Sequence, residues 1–164
     1  MVTIIVLAAH AQTASPQEQQ YLFSVLPLID RGDLATAELQ LVRGLAQFSQ
    51  SAILYNALGI VYRKENKMEP AASAFRKALE ILPSFTAAQL QLASLEQQQG
   101  NKPDAAKLFR AAAGSTENFE ALVAAGLGLA DCEDYAGAVT ALSKAHAQRP
   151  DSASVYLQFG PRAV

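Results

Sequence analysis

The chain has 164 residues, 51% of them hydrophobic, enough for one domain with a core of its own. Thirteen Lys and Arg against fifteen Asp and Glu give a formal net charge of -2. That balance excludes the strongly basic, clustered surface of a nucleic-acid binder.

In chain order, Val2 to Ala9 form an apolar run of the length of a signal-peptide core. Ala9-His10-Ala11 then places small residues on either side of one position, and Gln12-Thr13-Ala14 offers a second cleavage site. No Lys or Arg precedes the run. It is too short to span a bilayer, which takes about 20 apolar residues. Residues 1–14 are therefore expected to be a signal peptide and the mature chain periplasmic or secreted. A cytoplasmic chain is the alternative, and no transmembrane span is expected.

From residue 18 onward the sequence repeats. Ala37, Ala71, Ala105 and Ala138 are spaced 34, 34 and 33 apart. Four residues after each stands a bulky apolar residue: Leu41, Phe75, Phe109 and Leu142. Three further on stands a small one: Gly44, Ala78, Ala112 and Ala145. The units are 18–51, 52–85, 86–118 and 119–152, with a partial fifth at 153–164. The shortfall of one residue in the third unit is expected in the Gly114–Asn118 loop.

Each unit is expected to be two antiparallel helices. Ser15-Pro16-Gln17-Glu18 is a capping box with proline in the first turn, so a helix starts there. Gly32, Asn66 and Gly100 fall at equivalent places between paired helices, where the left-handed conformation ends a helix. Pro70 and Pro103 suit first turns, and Pro83 and Pro150 stop helices. Helices are expected at 16–31, 34–48, 52–65, 69–82, 86–99, 103–114, 119–131 and 135–148, with a stub at 153–160.

Tyr55, Leu58, Gly59, Tyr62, Ala71, Phe75, Ala78 and Pro83 stand in the order and spacing of the tetratricopeptide pattern. The chain resembles that family from about residue 17 to 160. Other units depart from the pattern: Ser24-Val25 replaces Leu58-Gly59 in the first, and Gln89 and Glu96 occupy marked positions in the third. The resemblance implies an all-α, right-handed solenoid of stacked antiparallel helix pairs. No single pair can bury its apolar stripe alone. Gly59 and Gly126 are read as points of close helix contact, and Tyr55, Tyr62, Phe75, Phe109 and Tyr156 as core.

The resemblance further implies that the first helices line a concave groove that holds a peptide or partner protein. At the family's groove offsets the first unit carries Gln19, Leu22, Leu26 and Ile29, and the second Ile53, Asn56, Ile60 and Arg63. The third carries Ala87, Leu90, Ser94 and Gln97, and the fourth Glu120, Val123, Leu127 and Ala130. The candidate binding residues are Leu22, Leu26, Asn56, Ile60, Arg63, Leu90, Ser94, Gln97, Val123 and Leu127. They make an aliphatic track with Asn56, Ser94 and Gln97 as hydrogen-bonding points. Some members clamp a terminal carboxylate with cations; Leu22, Leu26, Ala57, Ala87 and Gln91 stand at those places and supply none.

No catalytic, cofactor or metal motif is legible. His146 is the one candidate base beyond the signal segment, no two histidines have metal-ligand spacing, and Gly126-Leu127-Gly128 lies inside a helix rather than in a phosphate loop. A single cysteine, Cys132, reads as a small, partly buried side chain, with an intermolecular disulfide conceivable only after export. Glu96 to Gln99 reads as a solvated helix end, and Arg63, Lys64 and Lys67 as cations that suit a helix C-terminus.

Toward the C-terminus the stub reaches Gly160-Pro161, where proline stops a helix. The second helix of 119–152 is then expected to keep a half-covered apolar face. A longer protein would cover it, or a second copy would pack there as a homo-oligomer. The expected function is a non-enzymatic protein-binding scaffold. The alternatives are self-association through that end, or a substrate-presenting part of a larger enzyme or envelope protein.

Overall fold

Side-chain caps start four of the eight described helices, and a left-handed residue follows four of them. In the computed structural model, which describes residues 15–150, eight helices are formed: α1 (Pro16–Arg31), α2 (Leu34–Gln47), α3 (Ala52–Lys64), α4 (Met68–Ile81), α5 (Thr86–Gln98), α6 (Lys102–Gly114), α7 (Phe119–Asp131) and α8 (Tyr135–Gln148). The observed bounds fall within one residue of those expected. The signal segment and the fifth-unit stub, with Tyr156, lie outside the described residues.

At the start of α1 the Ser15 hydroxyl accepts from Glu18 N–H, and the Glu18 carboxylate accepts from Ser15 N–H at 2.7 Å. Both halves of the capping box are present. Asp33, Asn118 and Asp134 cap α2, α7 and α8 in the same way, each accepting from a first-turn N–H. Gly32, Asn66 and Gly100 adopt φ of 79°, 63° and 84°. Glu133 joins them at φ 66°, one unit after Gly100, although nothing in its side chain favours that conformation. Pro27 sits inside α1, where it withholds one donor from the helix ladder.

The helices pair as α1–α2, α3–α4, α5–α6 and α7–α8, and each pair stacks on the next. The bulky column of the repeat is the core: Leu41, Phe75, Phe109 and Leu142 are 0–4% exposed. The small column supplies the room, with Ala37, Ala71, Ala105 and Ala138 also buried. Glycines on the first helices bring the backbones close. A methyl group at Gly126 would stand 2.5 Å from Leu142, and one at Gly128 would overlap the Phe109 ring. Tyr55 and Tyr62 are half-buried against this core rather than enclosed by it.

Polar pairs tie one unit to the next. Lys67 bridges to Glu38 at 3.0 Å, and Gln97 donates to Asp131 at 3.1 Å; within the last unit Arg149 bridges to Glu120 at 2.8 Å. Glu96 departs from its expected solvated state. It is 9% exposed and accepts from Arg76 at 2.7 Å and Asn101 at 2.8 Å. The pattern's aromatic position is filled there by a carboxylate that burial forces to find partners.

Candidate functional site

Stacked helix pairs curve because their two rows of helices are unequally spaced. Successive first helices touch along the array, α1 with α3, α3 with α5 and α5 with α7, and α5 and α7 do so most closely. Among the described second helices only α6 and α8 come as near as α3 and α5 do, so that row is the more widely spaced. The first helices therefore form the inner row, and the residues they turn away from the second row line the inner face.

The ten residues expected there divide into two sets. Leu90, Ser94, Gln97, Val123 and Leu127, on α5 and α7, are half-buried, as is Arg63 at the end of α3. Leu22, Leu26, Asn56 and Ile60 are buried, at 5%, 8%, 0% and 4% exposure. Their expected exposure is thus corrected. In the α1–α3 half of the array these side chains are closed over, whereas the α5–α7 half stays open. Ile29, Ile53 and Ala87 are buried as well, while Glu120 is exposed. The sequence reading did not single out Phe23. It is 60% exposed on α1, one residue beyond the expected offset.

The three hydrogen-bonding points differ in what they have left to give. The Ser94 hydroxyl donates to the Leu90 carbonyl one turn back, at 3.0 Å. The Gln97 amide donates to Asp131. Asn56 is committed to nothing: its Nδ2 and Oδ1 are both buried and have no hydrogen-bond partner. Buried amides are nearly always satisfied, so an orphan of this kind calls for an explanation.

The cations are similarly uneven in what they have left to give. Arg63 and Lys144 are the described Lys and Arg residues that are not exposed. Lys144 is fully engaged, with Glu117 at 2.7 Å and the Thr116 carbonyl at 2.9 Å. Arg63 has no acidic partner among the described residues, and desolvation by burial pulls its guanidinium pKa below the usual arginine range. Nearby Lys67 bridges Glu38 and Glu65 and lies 5.4 Å from the centre of the Tyr62 ring, and its ion pairs hold the Glu38 carboxyl below the ordinary range.

No group of three or more His, Cys, Asp or Glu side chains among the described residues is placed to hold a metal ion. Cys132 is half-buried at the end of α7, and burial, aided by Asp131, raises its thiol pKa. His146 is half-buried in α8. No helix of the described residues is long and apolar enough to cross a membrane.

An inner row of close-packed first helices, an outer row of second helices and a 34-residue period define an α-solenoid repeat protein. The sequence profile of the tetratricopeptide repeat matches residues 28–84 and 90–154, so the chain belongs to the tetratricopeptide repeat family. Among solved structures it is similar to Pseudomonas aeruginosa pilF, with 22% identity and a TM-score of 0.72 over 86% of this chain and 65% of that one. It is similar also to a tetratricopeptide repeat protein from Parabacteroides merdae, with 21% identity and a TM-score of 0.70 over 87% of this chain. A thermophilic repeat protein of Thermus thermophilus aligns at 15% identity and a TM-score of 0.69, over 93% and 84% of the two chains. The chain spans 57% of the Parabacteroides protein's length. No curated protein matches it in sequence. At these identities the likeness is one of fold.

Proposed function

We propose that this chain is a scaffold that holds a peptide or a partner protein against its concave face. Tetratricopeptide repeats act in general as protein-interaction scaffolds, and the likeness to the complex of Cut9 with Hcn1 (19% identity, TM-score 0.67, over 28% of that chain) is in keeping with such a role. The observation that carries the reading is the open half of the groove. Leu90, Val123 and Leu127 keep part of their apolar surface in water on the inner row, where burial by a guest is favourable by about 25 cal/mol per Å².

The experiment compares the full chain with a variant carrying Leu90→Lys and Leu127→Lys. Both side chains are only half-buried, so helix content by circular dichroism is expected to persist. Proteins retained from a cell extract by the parent chain should be lost by the variant. Retention of the same proteins by both would refute groove binding.

A further inference from the structure

The second helices turn one column of positions outward in every unit, away from the inner row. In α2 the column is Ala35, Leu39, Val42 and Ala46, spaced four, three and four apart. All four are exposed, Leu39 by 50% and Val42 by 48%. At about 3.6 residues per turn they lie on the side of α2 opposite Ala37, Leu41 and Gly44, which enter the core. In α4 the same column reads Glu69, Ser73, Arg76 and Glu80. At its two central positions α6 carries Lys107 and Arg110, and α8 carries Thr140 and Ser143. The outward column thus accepts polar residues readily, and α2 alone among the described second helices keeps large apolar ones in water there.

Intervals of four, three and four are the seam of a two-heptad coiled coil, which mates with a like seam on another helix. The charges beside the stripe say which helix fits. Glu38 flanks it on one side, where Glu38 and Glu65 share a single lysine, Lys67, so that cluster keeps a net negative charge. Arg43 flanks it on the other side, exposed and without an acidic partner among the described residues. The two stand about 7.5 Å apart along the helix axis. If two copies of α2 pair antiparallel about the stripe's midpoint, that distance separates Glu38 from Glu38 and Arg43 from Arg43. If they pair parallel and in register, it separates Glu38 from Arg43 on both flanks, as in the interhelical ion pairs of coiled coils.

We infer that two copies of this chain associate back to back through α2, with the two helices parallel and in register. Leu39 and Val42 meet their counterparts in the central layers, Ala35 and Ala46 do so at the ends, and Glu38 and Arg43 pair across both flanks. The helix is already held in place by α1 and α3, so no nucleation opposes the pairing. Its 14 residues span about 21 Å, and a seam about 10 Å wide covers roughly 200 Å² of each copy. Stable dimers cover about 800 Å² per partner, so this association is weak, with a Kd of about 0.1–1 mM. It leaves the inner rows of both copies open.

The test is sedimentation equilibrium of the full chain from about 20 μM to about 1 mM at low salt, where the average mass should rise toward that of a dimer. Leu39→Lys and Val42→Lys alter exposed positions, so each should keep the parent's helix content and weaken association about tenfold or more. Glu38→Arg and Arg43→Glu should each weaken it when alone, and an equimolar mixture of the two variants should restore it. A parent chain that stays monomeric at the highest concentration, as it would with residues 1–14 seated on the stripe, overturns the inference. Association that Leu39→Lys and Val42→Lys leave unchanged overturns it too, by assigning the contact to another face. Charge reversals without effect overturn the parallel register and the pairing of Glu38 with Arg43.

Discussion

Gly59 on α3 lies directly against the ring of Phe75 on α4, and a methyl group added at Gly59 would stand 2.5 Å from that ring. Phe75 is wholly buried, and Ala71 and Ala78 on its own helix are buried with it, so the ring has no free direction in which to retreat. Two effects oppose each other in Gly59→Ala. Helix propensity favours alanine by about 1 kcal/mol, and overpacking of a filled core costs about 1–3 kcal/mol. The second is expected to win, lowering the unfolding free energy in urea titration. Gly114 is the control: it ends α6 with nothing within 4 Å of the added methyl, so Gly114→Ala should leave stability unchanged or raise it by about 0.5 kcal/mol. Equal losses at both sites would show that close packing is not what retains Gly59.

Asn56 is a buried amide in a column that is otherwise aliphatic. Leu22 and Leu90 stand at the same place in neighbouring units, so Asn56→Leu introduces a side chain the stack already accommodates. It also removes two buried polar atoms without partners, a defect of about 1–3 kcal/mol. The variant is expected to melt higher than the parent. A loss of stability in chemical denaturation would instead assign Asn56 to packing.

Helix ends and close contacts are the most legible parts of this chain, because both depend on residues near in sequence or fixed by the repeat. Ser15 to Glu18 announce a cap, Gly32, Asn66 and Gly100 their reversals, and Gly59 a close contact that Phe75, sixteen residues away, supplies. Groove exposure is less legible. Leu22, Asn56, Leu90 and Val123 share one position in the repeat, yet the first two are buried and the last two half-exposed. That difference arises from how each first helix lies against its neighbours, and no single unit encodes it. Glu96 escapes for a related reason: its partners Arg76 and Asn101 come from the helix before and the turn after.

Asp134 connects acid stability to one carboxylate with two tasks. It accepts from Gly137 N–H at 3.2 Å, capping α8, and from the Arg110 side chain on α6. The hydrogen bond and charge of Arg110, with the Gly137 N–H, hold its carboxyl below the ordinary aspartate range. A depressed folded-state pKa means the stabilisation is complete above the unfolded value and is lost as pH falls through the folded one. Unfolding free energies of parent and Asp134→Ala from urea titration should therefore differ at pH 7, by about 1 kcal/mol for the cap, and the gap should close as pH falls below the ordinary aspartate range. A gap that is independent of pH would exclude the ionised carboxylate as its source.

Glu133 is the fourth member of a series whose first three are Gly32, Asn66 and Gly100, and it holds their left-handed backbone at φ 66°. Glycine takes that conformation freely and asparagine tolerates it, whereas glutamate meets the clash between Cβ and the following carbonyl. Its compensation is an ion pair with Lys102 between two exposed side chains, a kind of contact that contributes little in water. Backbone relief should outweigh the lost pair, so Glu133→Gly is expected to raise the melting temperature by about 2–4 °C. Glu133→Asn should give part of that rise, and Lys102→Met, which removes the pair and leaves the backbone strained, should give none. A fall in melting temperature for Glu133→Gly at about 0.5 M salt, where the ion pair is screened, would mean that the reversal between α7 and α8 is not strained as its geometry indicates.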